Sequence, residues 1–288
     1  MKYIYPDFYF DFKCIADKCR HSCCVSWEID IDDDSLEFYE QLDTPLGADI
    51  RKNISHDEYP HFILSEGERC PFLRADGLCR IICEMGEDGL CNICAEHPRF
   101  YNCYADREEA GLGLCCEEAA RLLLSGDKPL GFIVEEDEYD DVSGSKYQLL
   151  AILAEQTSSF DAKIERCMKL ANVKPVPGDA YEWAEFLLSL ERLDEEWTNK
   201  LLLLQNMTFP EHMEGMRYER LLSYFIYRHM TEENVAEMLR FCLLAVYIIY
   251  VLDSAQGFDI EHTRLFSSEI EYSDENIELI MAKMATMS

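Results

Sequence analysis

Residues 70–100 read CPFLRADGLCRIICEMGEDGLCNICAEHPRF, and they carry five cysteines, at 70, 79, 83, 91 and 94. The Cys91-x2-Cys94 pair is the sharpest element, because two intervening residues let both sulfurs reach one metal from a tight turn. His97-Pro98 follows and breaks any helix there, which suits a turn role for His97 better than metal ligation. Working outward, the density of thiols rises further. Cys14-x4-Cys19-x3-Cys23-Cys24 lies upstream, and Cys103 and Cys115-Cys116 lie downstream. Twelve of the fourteen cysteines fall between Cys14 and Cys116; Cys167 and Cys242 stand apart. The N-terminal MKYIYPDFYFDFKC has no apolar run of the signal-peptide kind, so a cytoplasmic location is expected. In a reducing cytosol, clustered thiols point to metal before disulfides. Adjacent cysteines diverge, so one of Cys23/Cys24 and one of Cys115/Cys116 is expected to serve the core.

The rest of the chain bounds the alternatives. It has 288 residues, 26 Lys plus Arg and 57 Asp plus Glu, for a formal charge of −31. Such a field opposes nucleic acid and favours a basic partner. The longest apolar run, Phe241 to Leu252, is short of the roughly 20 residues a membrane span requires, so no membrane role is expected. From Lys146 onward apolar residues recur at three and four, which predicts helices over 146–156, 160–171, 181–193, 195–207, 234–257 and 273–287. Thr231 and Asn234 suit the start of the long helix and Gly257 its end. The acidic run EEDEYDD at 135–141 sits between Gly131 and Ser143-Gly144-Ser145 and reads as a linker.

The expected fold class is therefore mainly α. An irregular cysteine-rich N-terminal half (1–130) joins a helical C-terminal region (146–288) through an acidic linker (131–145). Strand–helix alternation of the doubly wound type is not evident. GLGLCC at 111–116 is a weak glycine signal, which argues against a Rossmann-type donor site. Asp30, Asp32 and Asp34 imitate a calcium loop, but Ser35 and Gln41 replace its glycine and glutamate. Neither the two-CxxC zinc template nor the plain ferredoxin run is present, so spacing alone leaves zinc and iron–sulfur both open.

Three blocks together resemble the flagellin lysine-N-methylase family, with its CxxCxxCC-type cysteine cluster. They are FKCIADKCRHSCCVSWEIDID (12–32), ERCPFLRADGLCRIICEMGEDGLCNICAEHPRFYN (68–102) and EAGLGLCCEEAARLLL (109–124). The resemblance implies methyl transfer from S-adenosylmethionine to lysine ε-amines of flagellin, and an iron–sulfur cluster, 4Fe-4S in preference to zinc. Among cysteines matching the family pattern, Cys19, Cys23, Cys70, Cys79, Cys91 and Cys94 are the favoured ligands, with Cys14 and Cys24 as alternates. Cys83 and Cys103 rank as non-ligands.

Lysine methylation also needs a deprotonated amine and a slot for a sulfonium cation, which aromatic faces and carboxylates provide. Trp27, Glu28, Tyr101 and Glu117 lie beside the motifs and are the catalytic candidates. The plainer roles are a core anchor for Trp27 and an exposed helix start for Glu117 and Glu118. The competing functional reading is a non-enzymatic zinc or iron–sulfur protein that handles metal or docks a partner.

Overall fold

A computed structural model describes residues 1–57, 59–135, 144–176 and 178–287. It forms two compact units: Met1–Phe12 with Tyr101–Ser288, and an insert, Lys13–Phe100. These boundaries differ from the expected division at 130 and 145. Residues 101–130 belong with the helical body, and 132–135 form a strand. Most of the acidic run, residues 136–141, lies outside the described residues.

The strands are β1 (Lys2–Pro6), β2 (Ile54–Ser55), β3 (His61–Phe62), β4 (Arg99–Cys103), β5 (Arg107–Leu112) and β6 (Phe132–Glu135). In the larger unit they build a mixed sheet in the order β4-β5-β1-β6. β1 runs parallel to β5, with Lys2 opposite Arg107, and antiparallel to β6, with Tyr3 opposite Glu135. In β1 Ile4 and Pro6 are buried while Tyr3 is exposed and Tyr5 half-buried, the two-residue period of a strand with one face on a core.

The helices of this unit pack largely on one another. Ser145–Ala154, Phe160–Ala171, Glu195–Leu204, Val235–Gln256 and Asp274–Thr286 match the expected helices closely, whereas Ala180–Leu187 stops six residues short of the expected end at 193. Side-chain caps explain several starts: Ser159 accepts from the Ala162 N–H, Asp194 from Glu196, and Asp179 forms a capping box with Glu182. Gly257 (φ 88°) ends the long helix as expected, in a conformation a side chain would strain. Asn234 precedes its first turn, but its carbonyl oxygen binds back to the Thr231 N–H rather than into the helix. That 22-residue helix has the length and hydropathy of a membrane span, yet two-thirds of its most apolar window is buried inside the protein. Asp253 near its end is buried too, and accepts from Tyr218 and contacts His262. A core helix explains all of this.

The helix Met216–His229 was not foreseen. Nine of its fourteen residues are buried, polar Arg220 and Ser223 among them, and no side chain caps its start. It is the central pin of the unit. The Tyr227 hydroxyl lies 2.7 Å from the Ile4 carbonyl and 2.9 Å from that of Ala110, joining β1 to β5. Arg220 donates to the carbonyls of Leu123 and Lys128 and pairs with Asp7 at 2.9 Å. A Cβ at Gly126 would stand 2.3 Å from that guanidinium, which explains a glycine there.

The insert is smaller and less regular. Its core is Ile29, Ile31, Tyr39, Leu46, Ile50, Ile54, Phe62, Cys70, Phe72, Ile81 and Cys91. Around it lie helices Asp33–Gln41, Pro45–Lys52, Arg80–Met85 and Asn92–Glu96 and the short β2–β3 hairpin. Arg51 donates to the carbonyls of Tyr39 and Leu42, closing the turn between its first two helices.

Candidate metal centre

The insert gathers thiols that are far apart in sequence. Isolated bridges set the frame: Val25 pairs with Arg69, and Leu73 with Cys79. The Cys70 N–H donates to the Cys24 carbonyl at 2.8 Å, and the Arg80 N–H to Phe72. The cysteine segments are thus stitched together by main chain. Cys70 and Cys91 are buried, and Cys24, Cys79 and Cys94 pack partly buried against the same core. Cys79 and Cys91 each sit at the start of a short helix, Arg80–Met85 and Asn92–Glu96.

Their ionisation shows that they are neighbours. Burial, with the charges of Cys24 and Cys79 behind it, pushes the Cys70 thiol up to about 11. Burial also raises Cys79, which faces Cys24 and Cys83. Cys91 and Cys94 share a hydrogen bond, so the proton is held on Cys94 and the Cys91 thiol is lowered. Cys94 is further raised by burial and by the charges of Cys91, Cys24 and Cys70. Only Cys24 is drawn down markedly, to about 7, first by a hydrogen bond from Cys23 and then with help from Ser22 and Arg69. Five sulfurs that would repel one another as anions therefore converge in one unit. That donor set suits a soft cation, which would supply the missing positive charge. All fourteen cysteines are free thiols. Among the described residues, however, no three His, Cys, Asp or Glu side chains are arranged to hold a single metal ion.

Other expected residues fall as follows. Cys24, an alternate, packs against the core beside Cys70, Cys79 and Cys94, whereas Cys23 is exposed and Cys19 donates to the His21 carbonyl at 3.2 Å. Cys14 and Cys83 are exposed. Cys103, exposed beside Glu108, and Cys115 and Cys116 belong to the other unit. Trp27 is not a core anchor: it is 39% exposed, donates its indole N–H to the Cys23 carbonyl, and lies 6.0 Å from the His97 ring. Glu28 is exposed, 3.9 Å from His61. Tyr101 and Glu117 belong to the larger unit, so the four catalytic candidates are not gathered in one unit. Glu117 does open a helix, Glu117–Leu124, but Glu118 is buried and paired with Arg121 rather than exposed.

His97 takes the turn role. It caps the end of Asn92–Glu96 with its N–H on the Ile93 carbonyl. Burial lowers its imidazole from 6.5 to about 4. The unfolded chain then binds a proton near 6.5 that the folded chain refuses until about 4. Stability should be level above pH 6.5, fall by roughly 3 kcal/mol between 6.5 and 4, and level off below. Hydrogen exchange of residues 13–100 across that window, compared between wild type and His97→Phe, checks this: the variant should lose that part of the slope.

With this geometry in hand, comparison with known proteins is specific. A lysine-N-methylase of Salmonella choleraesuis (strain SC-B67) is 29% identical to the chain over 128 residues, 42% of this chain and 32% of that protein. The lysine-N-methylase of Salmonella typhimurium (strain LT2) matches to the same extent. Over those 128 residues the chain is similar to lysine-N-methylases. It spans about a third of the length of these two relatives. A flagellar biosynthetic protein, FliU, of Salmonella muenchen is 27% identical over 128 residues, 75% of its own length. No family model and no solved structure matches.

Proposed function

We propose that this protein is a lysine methylase of the flagellar system, transferring methyl groups from S-adenosylmethionine to lysine ε-amines of flagellin, and that its insert holds an iron–sulfur cluster. The observation that carries this reading is the convergence of Cys24, Cys70, Cys79, Cys91 and Cys94 in a chain related to lysine-N-methylases. The residues that would hold the cluster are drawn from those five. A polynuclear centre would spread these thiolates over several irons, whereas zinc would need four of them around one ion.

The methyl donor supplies an electrophilic methyl on a sulfonium cation. The rest falls to the chain. Its net charge of −31 draws a lysine-bearing partner toward it and disfavours polyanions. The half-exposed Trp27 face offers a surface on which a cation can rest, and Glu28 beside His61 a carboxylate that can take up the ammonium proton.

The test is direct. Anaerobically purified chain, incubated with flagellin and S-adenosylmethionine, is expected to add about 14 Da per methyl to lysine-containing peptides. Metal-replete protein that leaves flagellin and other lysine-rich proteins unchanged would overturn the enzymatic reading. It would leave the competing one, a metal-handling or partner-docking protein, which the partial coverage of the two lysine-N-methylases favours.

A further inference from the structure

The pair Cys91–Cys94 does not hold itself in place. The helix Asp33–Gln41 grips the segment that carries Cys91 at two points. At its start, Asp32 is the cap residue and accepts from the Ser35 N–H at 3.0 Å. The same carboxylate reaches across sixty residues and accepts from the Asn92 N–H at 2.9 Å. Seven residues beyond Asp32, the fully buried Tyr39 donates its hydroxyl to the Gly89 carbonyl at 2.9 Å. These bonds fall on residues 89 and 92 and so bracket Leu90 and Cys91. Both are unusual partners. The Asn92 N–H is one of the first-turn amides of its helix, which no residue inside that helix can satisfy. The Cys91 side chain makes no bond to that amide, although Cys91 occupies the cap position. Asp32 therefore caps two helices with one carboxylate, its own and the one that carries Cys94.

We infer that Asp32 and Tyr39 are positioning residues for the Cys91–Cys94 pair, holding both thiols at the centre whether or not metal is bound. The functional weight of this clamp rests on the thiol centre proposed above; its geometry does not. Residues 30–34 imitated a calcium loop in sequence, and the clamp gives Asp32 a different task.

The experiment uses the full-length chain, reduced and metal-free, with a pulse of iodoacetamide and mass-spectrometric readout at each cysteine. Asp32→Ala and Tyr39→Phe are expected to speed labelling of Cys91 and Cys94 about tenfold, the effect of one hydrogen bond to local opening. Cys70 and Cys79 should label at the wild-type rate in both variants. Asp32→Asn keeps an acceptor oxygen and should restore most of the protection. In metal-loaded protein, release of metal to a chelator should quicken by a similar factor in Asp32→Ala and Tyr39→Phe. A uniform rise at all four thiols, or none at Cys91 and Cys94, overturns the inference. If wild-type protein binds no metal but the selective labelling appears, the clamp stands and the metal reading falls. If wild type binds metal and the variants label and release as wild type does, the clamp falls alone.

Discussion

Glu109→Ala is expected to destabilise the larger unit by about 3–5 kcal/mol, the cost of leaving a buried charge without its partner. Glu109 lies mid-strand in β5 with no exposed surface, and Lys146, itself 1% exposed, donates to it. Tyr147 donates through its hydroxyl and Arg107 through Nε at 2.9 Å. Three donors on one carboxylate leave it well satisfied, which is what makes its burial tolerable. Removing it strands Lys146, whose ammonium is already disfavoured by burial, between the rings of Tyr104 and Tyr227. At about 2–4 °C per kcal/mol for a domain of this size, the melting temperature should drop by roughly 10 °C. Circular dichroism of the full chain measures it. The double variant Glu109→Leu with Lys146→Met removes both charges and should recover most of the loss; if it melts no higher than the single variant, the ion pair is not the cause.

Cys79→Ser is expected to weaken metal binding by about a hundredfold or more, beyond what loss of a supporting residue costs a metal site. Cys70→Ser should do the same, because each residue is tied by main chain to a second cysteine segment or to the bridge that carries one. Cys14→Ser and Cys83→Ser, at exposed positions, should retain wild-type metal. Iron, zinc and acid-labile sulfide per chain give the result. Since a cation would relieve repulsion among these thiols, its loss should also loosen the insert. Limited proteolysis of metal-stripped protein should cut within 13–100 and spare the larger unit. Equal metal content in Cys14→Ser and Cys79→Ser would remove the centre from this position.

How much of this was legible in the sequence follows from what each signal encodes. Apolar residues at helical spacing exposed the helices from Ser145 onward, and Phe160–Ala171 and Ala180–Leu187 also show a wet face and a dry one. Met216–His229 has apolar spacing of the same kind, but no side chain caps its start, and the buried Arg220 and Ser223 interrupt the apolar reading of MRYERLLSYFIYRH. The sheet was hidden for another reason: KYIYP and REEAGL are short, and their parallel pairing is separated by the entire insert. Cys70, Cys79, Cys91 and Cys94 were chosen from spacing and family pattern, and all four lie in or against the core of the insert. Cys24 was ranked behind Cys23, since nothing in a consecutive pair says which side chain turns inward. The Asp32–Asn92 bond joins residues sixty apart and left no trace in local pattern.

The insert leaves the larger unit after Phe12 and returns at Tyr101, between β1 and the strands with which it shares a sheet. Pairing Lys2 with Arg107 therefore closes a ring of chain whose entropic cost grows with its effective length. While residues 13–100 are unstructured that ring is long; once they fold, it shrinks to the gap between their two ends. Whatever consolidates the insert thus eases the zipping of β1 onto β5 without touching either strand, as a covalent crosslink would.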